Sequence, residues 1–488
     1  MTWHIKTEKN TWEVVIGLEV HAQILTKSKL FSSAPADFGA DPNSQVNLLD
    51  AAMPGTLPVC NGEAVAQAVR TALALDAEVH RTSVFERKNY FYPDLPPGYQ
   101  ISQYQQPLAT DGRLEVESDD GEKVIGIERL HMEQDAGKSL HDRGAVSFVD
   151  LNRAGVPLME IVSRPDIRAP GEASSYLRRL RSLLRTIRTC DGNMNEGSLR
   201  CDINLSVRVA GSDVLGTRTE TKNVNSVRFV VQAIELEARR QVDLLESGGE
   251  VLQETRLFDA AAGRARAMRS KEEAHDYRYF PDPDLLPLVL DSGWIEDLRT
   301  GLPELPRARA RRFAEVLKLS ETTAAILTEE PQNADYFEAV ASGRDAVRVA
   351  NWVVTNLFSA LNDAGLGADR SPVSPGALGE LLDMVDGGVI SGLVAKEVFE
   401  EMWGGGGSAR EIVSARGLEQ ISDQGQLEET VRGVLDANES QVGDYLSGRN
   451  EKVAGWFVGQ VMKATGGKAN PKVVNELVRK ALESRRQS

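Results

Sequence analysis

Apolar and polar residues alternate with a period of two in several short segments of the first 295 residues. The clearest example is residues 12–24, where one face carries only apolar side chains: Trp12, Val14, Ile16, Leu18, Val20, Ala22 and Ile24. Such alternation is typical of a β-strand with one buried side. Residues 199–207 repeat the pattern, and we also expect strands over residues 125–135 and 158–162.

Helical segments lie between these strands. Apolar residues recur at three- and four-residue spacing in residues 63–75, 173–188 and 227–246, as they do on the buried face of a helix. The third segment follows Ser226 and ends before Gly248, which match the residues preferred at helix starts and ends. Interleaved strands and helices predict an α+β domain in the N-terminal part of the chain.

The strand pattern stops near residue 300, and only helical periodicity follows. Helices are predicted in five segments, residues 306–317, 334–341, 346–361, 378–385 and 396–403. Gly404 to Ser408 is a glycine-rich linker by composition. The last stretch is helical again, and Pro471 favours the first turn of its final helix. The predicted domains are therefore residues 1–295, 296–403 and 409–488, joined by the linker 404–408.

Charge is distributed unevenly along the 488 residues. The formal net charge is -16 at pH 7, which by itself argues against a protein that binds polyanions. Residues 449–488, however, contain nine Lys or Arg and three Glu, a local charge of +6, so the preceding 448 residues carry -22. This asymmetry predicts either a basic module that binds nucleic acid or an ordinary solvated helical surface.

Cysteine content indicates a reducing compartment, and hydropathy argues against a membrane segment. The chain has 3 Cys, widely spaced, and no apolar run approaches the roughly 18 residues that cross a bilayer. The first ten residues are polar and mixed in charge, unlike a signal or transit peptide. We therefore expect a cytoplasmic protein without a membrane segment.

Three of the predicted strands carry residues that can bind a divalent cation. Glu19 and His21 lie two residues apart on the polar face of the first strand, which spaces them about 6.7 Å apart. His131 and Glu133 repeat this arrangement, and Glu160 stands alone among apolar neighbours. A buried lone carboxylate is costly unless it is paired or bound to a metal. The pattern predicts a magnesium site for phosphates, with solvent-facing Glu-x-His pairs as the alternative.

Charged and aromatic segments outside these strands admit two interpretations each. Residues 87–92 and 277–279 combine Tyr or Phe with Lys or Arg, so they either stack a base and hold phosphate or anchor the core beside turns. The arginines of residues 178–188 form either a phosphate-facing stripe or a solvated helix face. The residues alone leave both pairs of interpretations open.

Two further motifs are weak candidates for chemistry. The tripeptide Gly137-Lys138-Ser139 resembles the end of a P-loop, but Met132 stands where that motif needs glycine. The residues that follow predict a hairpin instead of the helix that a P-loop requires. Cys60 has no basic partner nearby in the sequence, and we predict a structural thiol there.

The chain resembles the family of B subunits of tRNA-dependent amidotransferases in six motifs, which occur in the same order as in the family. They are residues 15–21, 53–58, 87–94, 130–139, 196–202 and 276–281, which read VIGLEVH, MPGTLP, RKNYFYPD, LHMEQDAGKS, EGSLRCD and DYRYFP. The likeness continues through residues 458–463 and covers essentially the whole chain. Members of that family convert Glu-tRNA(Gln) or Asp-tRNA(Asn) to the amidated form, so the resemblance implies this activity on either or both substrates.

The resemblance also implies a fold and a set of site residues. It implies an N-terminal cradle domain with the fold of glutamine synthetase and guanido kinases, then a helical domain and a small helical tail that holds the tRNA elbow. It implies a catalytic site that binds ATP and Mg²⁺, formed by Glu19, His21, Glu133 and Glu160. Lys88 and Arg200 are expected to contact phosphate there.

The implied reaction is a glutamine-dependent carbon–nitrogen ligation. The γ-phosphoryl group of ATP would pass to the side-chain carboxylate of the misacylated amino acid, and ammonia would displace the phosphate. This chain shows neither a glutaminase nucleophile nor the Ser-Ser-Gly and Lys pattern of amidases. The resemblance therefore implies an amidase-family A subunit that supplies ammonia, a small C subunit and, as a further partner, the non-discriminating aminoacyl-tRNA synthetase.

One departure from the family concerns zinc. Some members carry four zinc-binding cysteines after the first strand, whereas the corresponding positions here are Ser32, Ala34, Asn47 and Asp50. We therefore expect no zinc. Two other functions remain as alternatives: a tRNA-binding scaffold that does not catalyse, and a metal-dependent hydrolase built on the same acids.

Overall fold

A computed structural model describes residues 3–140, 146–259, 262–270, 274–419, 424–447, 452–466, 469 and 471–486. The chain divides into two compact units, residues 1–309 and 310–488. In the described residues, the first unit combines β-sheets with helices, and the second contains helices only. No helix in those residues is both long and apolar enough to cross a membrane.

The strands of the described residues all lie in the first unit and are numbered β1 to β17 in chain order. Their bounds are His4–Lys6, Thr11–Gln23, Glu78–Val79, Thr82–Ser83, Glu86–Asn89, Tyr99–Ser102, Ala109–Ser118, Gly121–Gln134, Lys138–Leu140, Phe148–Asp150, Pro157–Ser163, Leu199–Val209, Thr219–Val224, Glu254–Asp259, Arg264–Ser270, Phe280–Pro281 and Leu288–Val289.

The α-helices are numbered α1 to α16 in the same way. Their bounds are Gly62–Ala74, Pro170–Thr186, Val227–Glu246, Ser292–Thr300, Pro306–Glu315, Glu321–Thr328, Pro331–Ala341, Ala346–Trp352, Phe358–Ala364, Pro375–Asp386, Gly392–Trp403, Ala409–Arg416, Gln424–Asp436, Glu439–Leu446, Val453–Ala464 and Pro471–Arg486. A π-helical turn, Val353–Leu357, joins α8 to α9, and short 3₁₀ turns span Ala274–Tyr277 and Ala368–Arg370.

The elements predicted from periodicity are confirmed in type. The four predicted strands correspond to β2, β8, β11 and β12, and the first three predicted helices to α1, α2 and α3. Ser226 caps α3 as expected, because its Oγ accepts a hydrogen bond from the amide of Phe229 at 3.2 Å. Helices α4 and α6 were not predicted, and the segment expected as one helix from residue 346 is interrupted by the π-helical turn.

The main sheet of the first unit is mixed and has the strand order β15-β14-β13-β12-β2-β11-β8-β7-β3, with β1 beside β2. Only β13 and β14 pair in parallel within it; the other described pairs are antiparallel. An α+β first unit followed by a helical second unit is therefore established. The long strand β2 lies between β11 and β12, near the centre of the sheet.

The two faces of the main sheet have different surroundings. Ile16 and Leu18 of β2 are fully buried in one core with Leu177 of α2 and Ile234 of α3, so the helices cover the apolar face. A small sheet, β16-β5-β6, lies against β8, where Gln100 Nε2 donates to the carbonyl of Gln134 at 2.8 Å. The polar residues of β2 therefore face the side that holds this small sheet.

The part of the second unit that the structure describes contains two apolar cores. The first extends from Phe313 to Leu418 and the second from Leu427 to Leu482. Helix α12 follows the glycine-rich segment 404–408, yet its residues Ile412 and Val413 belong to the first core. Packing therefore changes from one core to the other after Leu418, and the domain limits predicted from the sequence stay predictions.

Candidate active site

Three neighbouring strands bring a row of titratable side chains together on the main sheet. In the antiparallel register, Glu160 of β11 lies opposite His21 of β2 on one side and opposite His131 of β8 on the other. Glu133 follows His131 by two residues and projects from the same face of β8. Three of the predicted ligands, His21, Glu133 and Glu160, therefore meet at one place.

We call these four residues, His21, His131, Glu133 and Glu160, the His/Glu cluster. His21 Nε2 lies 3.6 Å from Glu160 Oε2 and 3.9 Å from Glu133 Oε1. His131 Nε2 lies 3.2 Å from Glu160 Oε2 and 3.7 Å from Glu133 Oε2. The ligand atoms of His21, Glu133 and Glu160 all lie within 4.8 Å of one another, so a single cation can contact all three.

Glu160 is buried, as its apolar neighbours predicted, with 8% of its surface exposed. Burial opposes its charge, yet His131 and His21 hold the pKa of its carboxyl well below the usual range. Burial also opposes the charge of His131, but Glu160 and Glu133 raise the pKa of that imidazole to about 9. The carboxylates are thus ionised at neutral pH, and oxygen donors of this kind fit Mg²⁺.

Glu19 does not join the His/Glu cluster. It lies opposite Asp202 of β12, and the ligand atoms of Glu19, Asp202 and Glu220 all lie within 4.8 Å of one another. Lys222 Nζ forms ion pairs with Asp202 and, at 3.3 Å, with Glu220, and Asn204 Nδ2 donates to Glu19 Oε1 at 2.8 Å. The structure thus divides the four predicted ligands between the His/Glu cluster and a second group, Glu19, Asp202 and Glu220, which we call the carboxylate cluster.

The two predicted phosphate contacts border the His/Glu cluster. Burial opposes the charge of Lys88, but Glu133 and Glu160 raise the pKa of its ammonium group. Arg200 lies opposite His21 in the β12–β2 register, and its Nη1 is 3.0 Å from Asp135 Oδ2. Both cations are in place beside the cluster, and their contact with phosphate stays a prediction.

The two aromatic and basic segments singled out in the sequence meet beside the same cluster. The ring centres of Tyr90 and Tyr277 are 6.1 Å apart, and Tyr279 stacks on Tyr104 at 4.6 Å. Burial raises the pKa of Tyr279, and the charges of Glu133 and Glu160 raise it further. These tyrosines therefore line one side of the candidate site.

Other sequence candidates take structural roles in the residues that the structure describes. Arg179 pairs with Glu117, which favours the structural interpretation of that arginine. Lys138 begins β9, which pairs with β10 in antiparallel register, as the predicted hairpin requires. Residues 141–145, between these strands, lie outside the described residues. Burial raises the pKa of Cys60 to about 11, as expected of an unreactive thiol.

The basic terminus forms amphipathic helices. Phe457 and Val461 of α15 and Val478 of α16 lie fully buried in the last core, while the basic residues face solvent: Lys463, Lys472, Arg479 and Lys480. Arg449 and Lys468 lie outside the described residues. Solvent exposure agrees with both interpretations of the terminus, so tRNA binding there stays a prediction.

A buried ion pair lies among the four positions that correspond to zinc-binding cysteines. Lys29 Nζ is 2.9 Å from Asp50 Oδ2, and 0% and 3% of the two side chains are exposed. Asp50 Oδ2 also accepts hydrogen bonds from Ser32 Oγ at 3.2 Å and from the amide of Asn47 at 2.9 Å. These groups are not the thiolates of a four-cysteine zinc site, and the absence of zinc stays a prediction.

Four of the residues found here lie outside the catalytic set that the family resemblance implied, although the strand pattern had already singled out His131. Asp202 and Glu220 complete the carboxylate cluster, His131 completes the His/Glu cluster, and Ser102 Oγ donates to Glu133 Oε2 at 3.2 Å. The alternation of β8 and β12 placed His131 and Asp202 on polar faces, so those two carried a usable signal. Glu220 and Ser102 carried none, because their positions depend on which strands become neighbours.

Two family models match the chain. The GatB/GatE catalytic domain matches residues 14–296 and the GatB domain matches residues 335–482. The first range contains every member of both clusters. The sheet unit with its two anionic clusters is therefore a catalytic domain of the GatB/GatE class.

The relatives agree with both matches. A protein of Rhizobium meliloti is 57% identical over 478 residues, 96% of this chain and 95% of the relative, and one of Rhodospirillum rubrum is 57% identical over 484 residues, 99% and 100% of the two chains. Both carry the name of the B subunit of aspartyl/glutamyl-tRNA(Asn/Gln) amidotransferase. This chain belongs to that family of B subunits, which confirms the family expected from the sequence motifs.

Proposed function

We propose that this chain activates the side-chain carboxylate of misacylated tRNA within a glutamine-dependent amidotransferase. The substrates are Glu-tRNA(Gln), Asp-tRNA(Asn) or both, as in the names of its relatives. The observation that carries the proposal is the pair of anionic clusters that share strand β2, one through His21 and the other through Glu19. Such paired sites suit a reaction in which phosphate charge must be neutralised.

The chemistry follows from the poor reactivity of a carboxylate towards ammonia. A carboxylate oxygen of the amino acid bonds to the γ-phosphorus of ATP while the bond to ADP breaks, which gives an acyl phosphate. Ammonia then attacks the acyl carbon, inorganic phosphate leaves with the bonding electron pair, and the surplus proton of the nitrogen passes to solvent. The product is the side-chain amide, still esterified to the tRNA.

The residues of the two clusters divide this work. His21, Glu133 and Glu160 would hold one Mg²⁺, and the carboxylate cluster offers only oxygen donors for another. Bound Mg²⁺ supplies positive charge to the phosphate oxygens during transfer. Lys88 stays protonated beside the His/Glu cluster and would bind phosphate as a point charge.

Arg200 and the remaining partners complete the proposal. Arg200 Nη1 lies 3.0 Å from Asp135 Oδ2, and in this proposal the guanidinium would also contact a phosphate oxygen. An amidase-family A subunit supplies ammonia, and a small C subunit completes the complex. In this proposal the sheet unit has a fold like that of glutamine synthetase and guanido kinases, the basic helical tail holds the tRNA, and the complex works in the cytoplasm.

The test uses the Glu160→Gln variant in the assembled complex with ATP, glutamine and misacylated tRNA. Because the amide keeps the shape but loses the charge of Glu160, ATP-dependent amidation should fall at least about a hundredfold. Glutamine hydrolysis by the partner subunit should continue. Glu128→Gln is the matched control, since Glu128 is an exposed glutamate on β8, and it should leave amidation unchanged.

Other outcomes separate the alternatives. Amidation that persists in the folded, complex-bound Glu160→Gln variant would contradict the assignment of the His/Glu cluster. A wild-type complex that binds tRNA without consuming ATP would indicate a scaffold. Release of phosphate or amino acid without glutamine or ammonia would indicate a hydrolase.

A further inference from the structure

Two aromatic side chains stand exposed in the loop between β5 and β6. Phe91 has 83% of its surface exposed and Tyr92 has 52%; we call this pair the aromatic tip. A single exposed apolar residue needs no explanation, but this pair adjoins the tyrosines that line the candidate active site. Its location makes it a candidate surface for a planar ligand.

The loop that carries the aromatic tip is fixed by its own backbone. The amide of Tyr90 donates to the carbonyl of Gly98 at 3.2 Å, and the amide of Leu95 donates to the carbonyl of Tyr92 at 3.0 Å. Gly98 has φ +75°, and a Cβ there would come within 2.9 Å of Phe91 Cε1, so the Phe91 ring lies directly against this glycine. A surface already ordered in this way loses little conformational entropy when it binds a ligand.

A chain of aromatic contacts joins the tip to the His/Glu cluster. The ring centres of Tyr92 and Tyr90 are 6.0 Å apart, and those of Tyr90 and Tyr277 are 6.1 Å apart. Lys88 Nζ lies 4.8 Å from the centre of the Tyr277 ring, and the charge of Lys88 interacts with both glutamates of the cluster. A run of neighbouring side chains therefore connects the tip to the cluster.

A basic residue with a strained backbone follows Tyr277 in the chain. Arg278 has φ +45°, in a region that residues other than glycine rarely occupy, and its side chain is exposed. Asn89 Nδ2 donates to the carbonyls of Tyr277 at 3.1 Å and Arg278 at 2.9 Å. Strain that a side-chain amide maintains in this way is found at binding sites.

We propose that the aromatic tip stacks the adenine of the 3′-terminal nucleotide of the aminoacyl-tRNA, with Arg278 contacting its backbone phosphate. The proposal rests on the proposed function. The amino acid is esterified to the ribose of that nucleotide, so a carboxylate held at the His/Glu cluster leaves the base only one amino acid and one ribose away. Unpaired bases are commonly held by stacking on aromatic rings, and phosphates by arginine.

Adenine is also the base of ATP, so the experiment must separate the two sources. The variants are Phe91→Ala, Tyr92→Ala and both together, each assembled with the partner subunits. Tyr92→Phe keeps the ring, and Phe38→Ala removes another exposed Phe, 71% exposed, so both serve as controls. KM is measured for misacylated tRNA at saturating ATP, and for ATP at saturating tRNA.

The double variant should raise KM for misacylated tRNA about tenfold or more, the range of a lost base stack. In the double variant, KM for ATP and kcat at saturating substrate should equal those of wild type. In both control variants, KM for tRNA should also equal that of wild type. A charged tRNA whose terminal ribose lacks the base should bind wild type as weakly as the double variant binds normal substrate. The double variant should show no further loss with that substrate.

Four results would overturn the inference. The first two are a KM for tRNA that is unchanged in the double variant, and a raised KM for ATP instead of for tRNA. The third is a further rise in KM when the double variant is given the tRNA that lacks its terminal base. The fourth is failure of the double variant to assemble with its partners, which would indicate that the tip contacts another subunit. Failure of the proposed function is distinguishable, because the wild-type complex would then show no ATP-dependent amidation at all.

Discussion

The buried ion pair between Lys29 and Asp50 offers the sharpest test of how the first unit is held together. Asp50→Asn keeps the shape of the side chain and its contacts with Ser32 and Asn47, but it removes the negative charge. The Lys29 ammonium can still donate to the neutral side-chain oxygen and to the carbonyl of Leu151, at 3.2 Å, but it loses the carboxylate that pairs with its charge. We expect this single change to destabilise the loops that follow β2.

The magnitude follows from the cost of an uncompensated buried charge. Burial already lowers the pKa of Lys29 despite the pairing with Asp50, so the site is unfavourable to an isolated ammonium. Breaking such a pair from one side costs about 3–5 kcal/mol. Lys29→Met in the Asp50→Asn background removes the charge that was left behind, and the double variant should recover about 1–3 kcal/mol.

Hydrogen exchange of the full-length chain, followed by mass spectrometry, measures this loss locally. The amide of Leu30 donates to the carbonyl of Gly155 at 2.9 Å, and in Asp50→Asn it should exchange about a hundred times faster or more. Arg113→Gln is the control, because its ion pair with Asp76 is exposed and is worth less than about 1 kcal/mol.

Leu30 exchange within about tenfold of wild type in Asp50→Asn would refute the reasoning. A double variant whose loss of unfolding free energy equals the sum of the losses in the two single variants would also contradict it, because the two charges would then not be coupled. Metal analysis belongs to the same experiment. Stoichiometric zinc in the purified protein would show that a metal, and not this ion pair, organises the loops.

Two further predictions concern the tail and acid stability. Deleting residues 420–488 removes the basic helices, so tRNA binding in a filter assay should weaken while ATP binding is kept. Deletion from residue 409 should also lower the melting temperature, because α12 belongs to the preceding core. Equal tRNA affinity without residues 420–488 would show that the terminus is an ordinary solvated surface. Burial opposes the charge of Glu237, but hydrogen bonds from Arg240 and its neighbours hold the pKa of this carboxyl below 4.5. The ionised Glu237 carboxylate therefore contributes fully to stability above pH 4.5, and this contribution is lost as the pH falls through the folded-state pKa. The difference in unfolding free energy between wild type and Glu237→Gln, measured by urea unfolding, should shrink on acidification. A difference that stays constant with pH would contradict this prediction.

The sequence predicted best those features that depend on a single strand or helix, such as the type of an element or the burial of a residue. Alternation alone located β2 and β12, and the apolar neighbours of Glu160 predicted its burial. The partner of each polar residue is decided by strand order and register, which local patterns do not contain. Glu19 and His21 share a face, yet β11 and β8 supply the glutamates near His21, whereas β12 and β13 supply Asp202 and Glu220 near Glu19, so one expected site became two clusters.

Composition was also a limited guide in the helical unit. The glycine-rich segment 404–408 was predicted to be a flexible linker, and Gly405 and Gly407 do adopt φ +86° and +106°. Packing, however, depends on the apolar residues that come afterwards, and α12 contributes Ile412 and Val413 to the preceding core. The glycine-rich segment 404–408 therefore does not mark the boundary between the two cores, which lies after Leu418.

The placement of Glu19 and His21 on one strand has a consequence for how this protein tolerates insertions and deletions. Side chains on a strand alternate between faces, so adding or removing one residue early in β2 would turn both Glu19 and His21 towards the helices. The His/Glu cluster and the carboxylate cluster would thus both be lost in one genetic step, although none of their residues had been substituted. In a library of single-residue insertions, Thr11–Gln23 should tolerate far fewer changes than any surface loop of the same length.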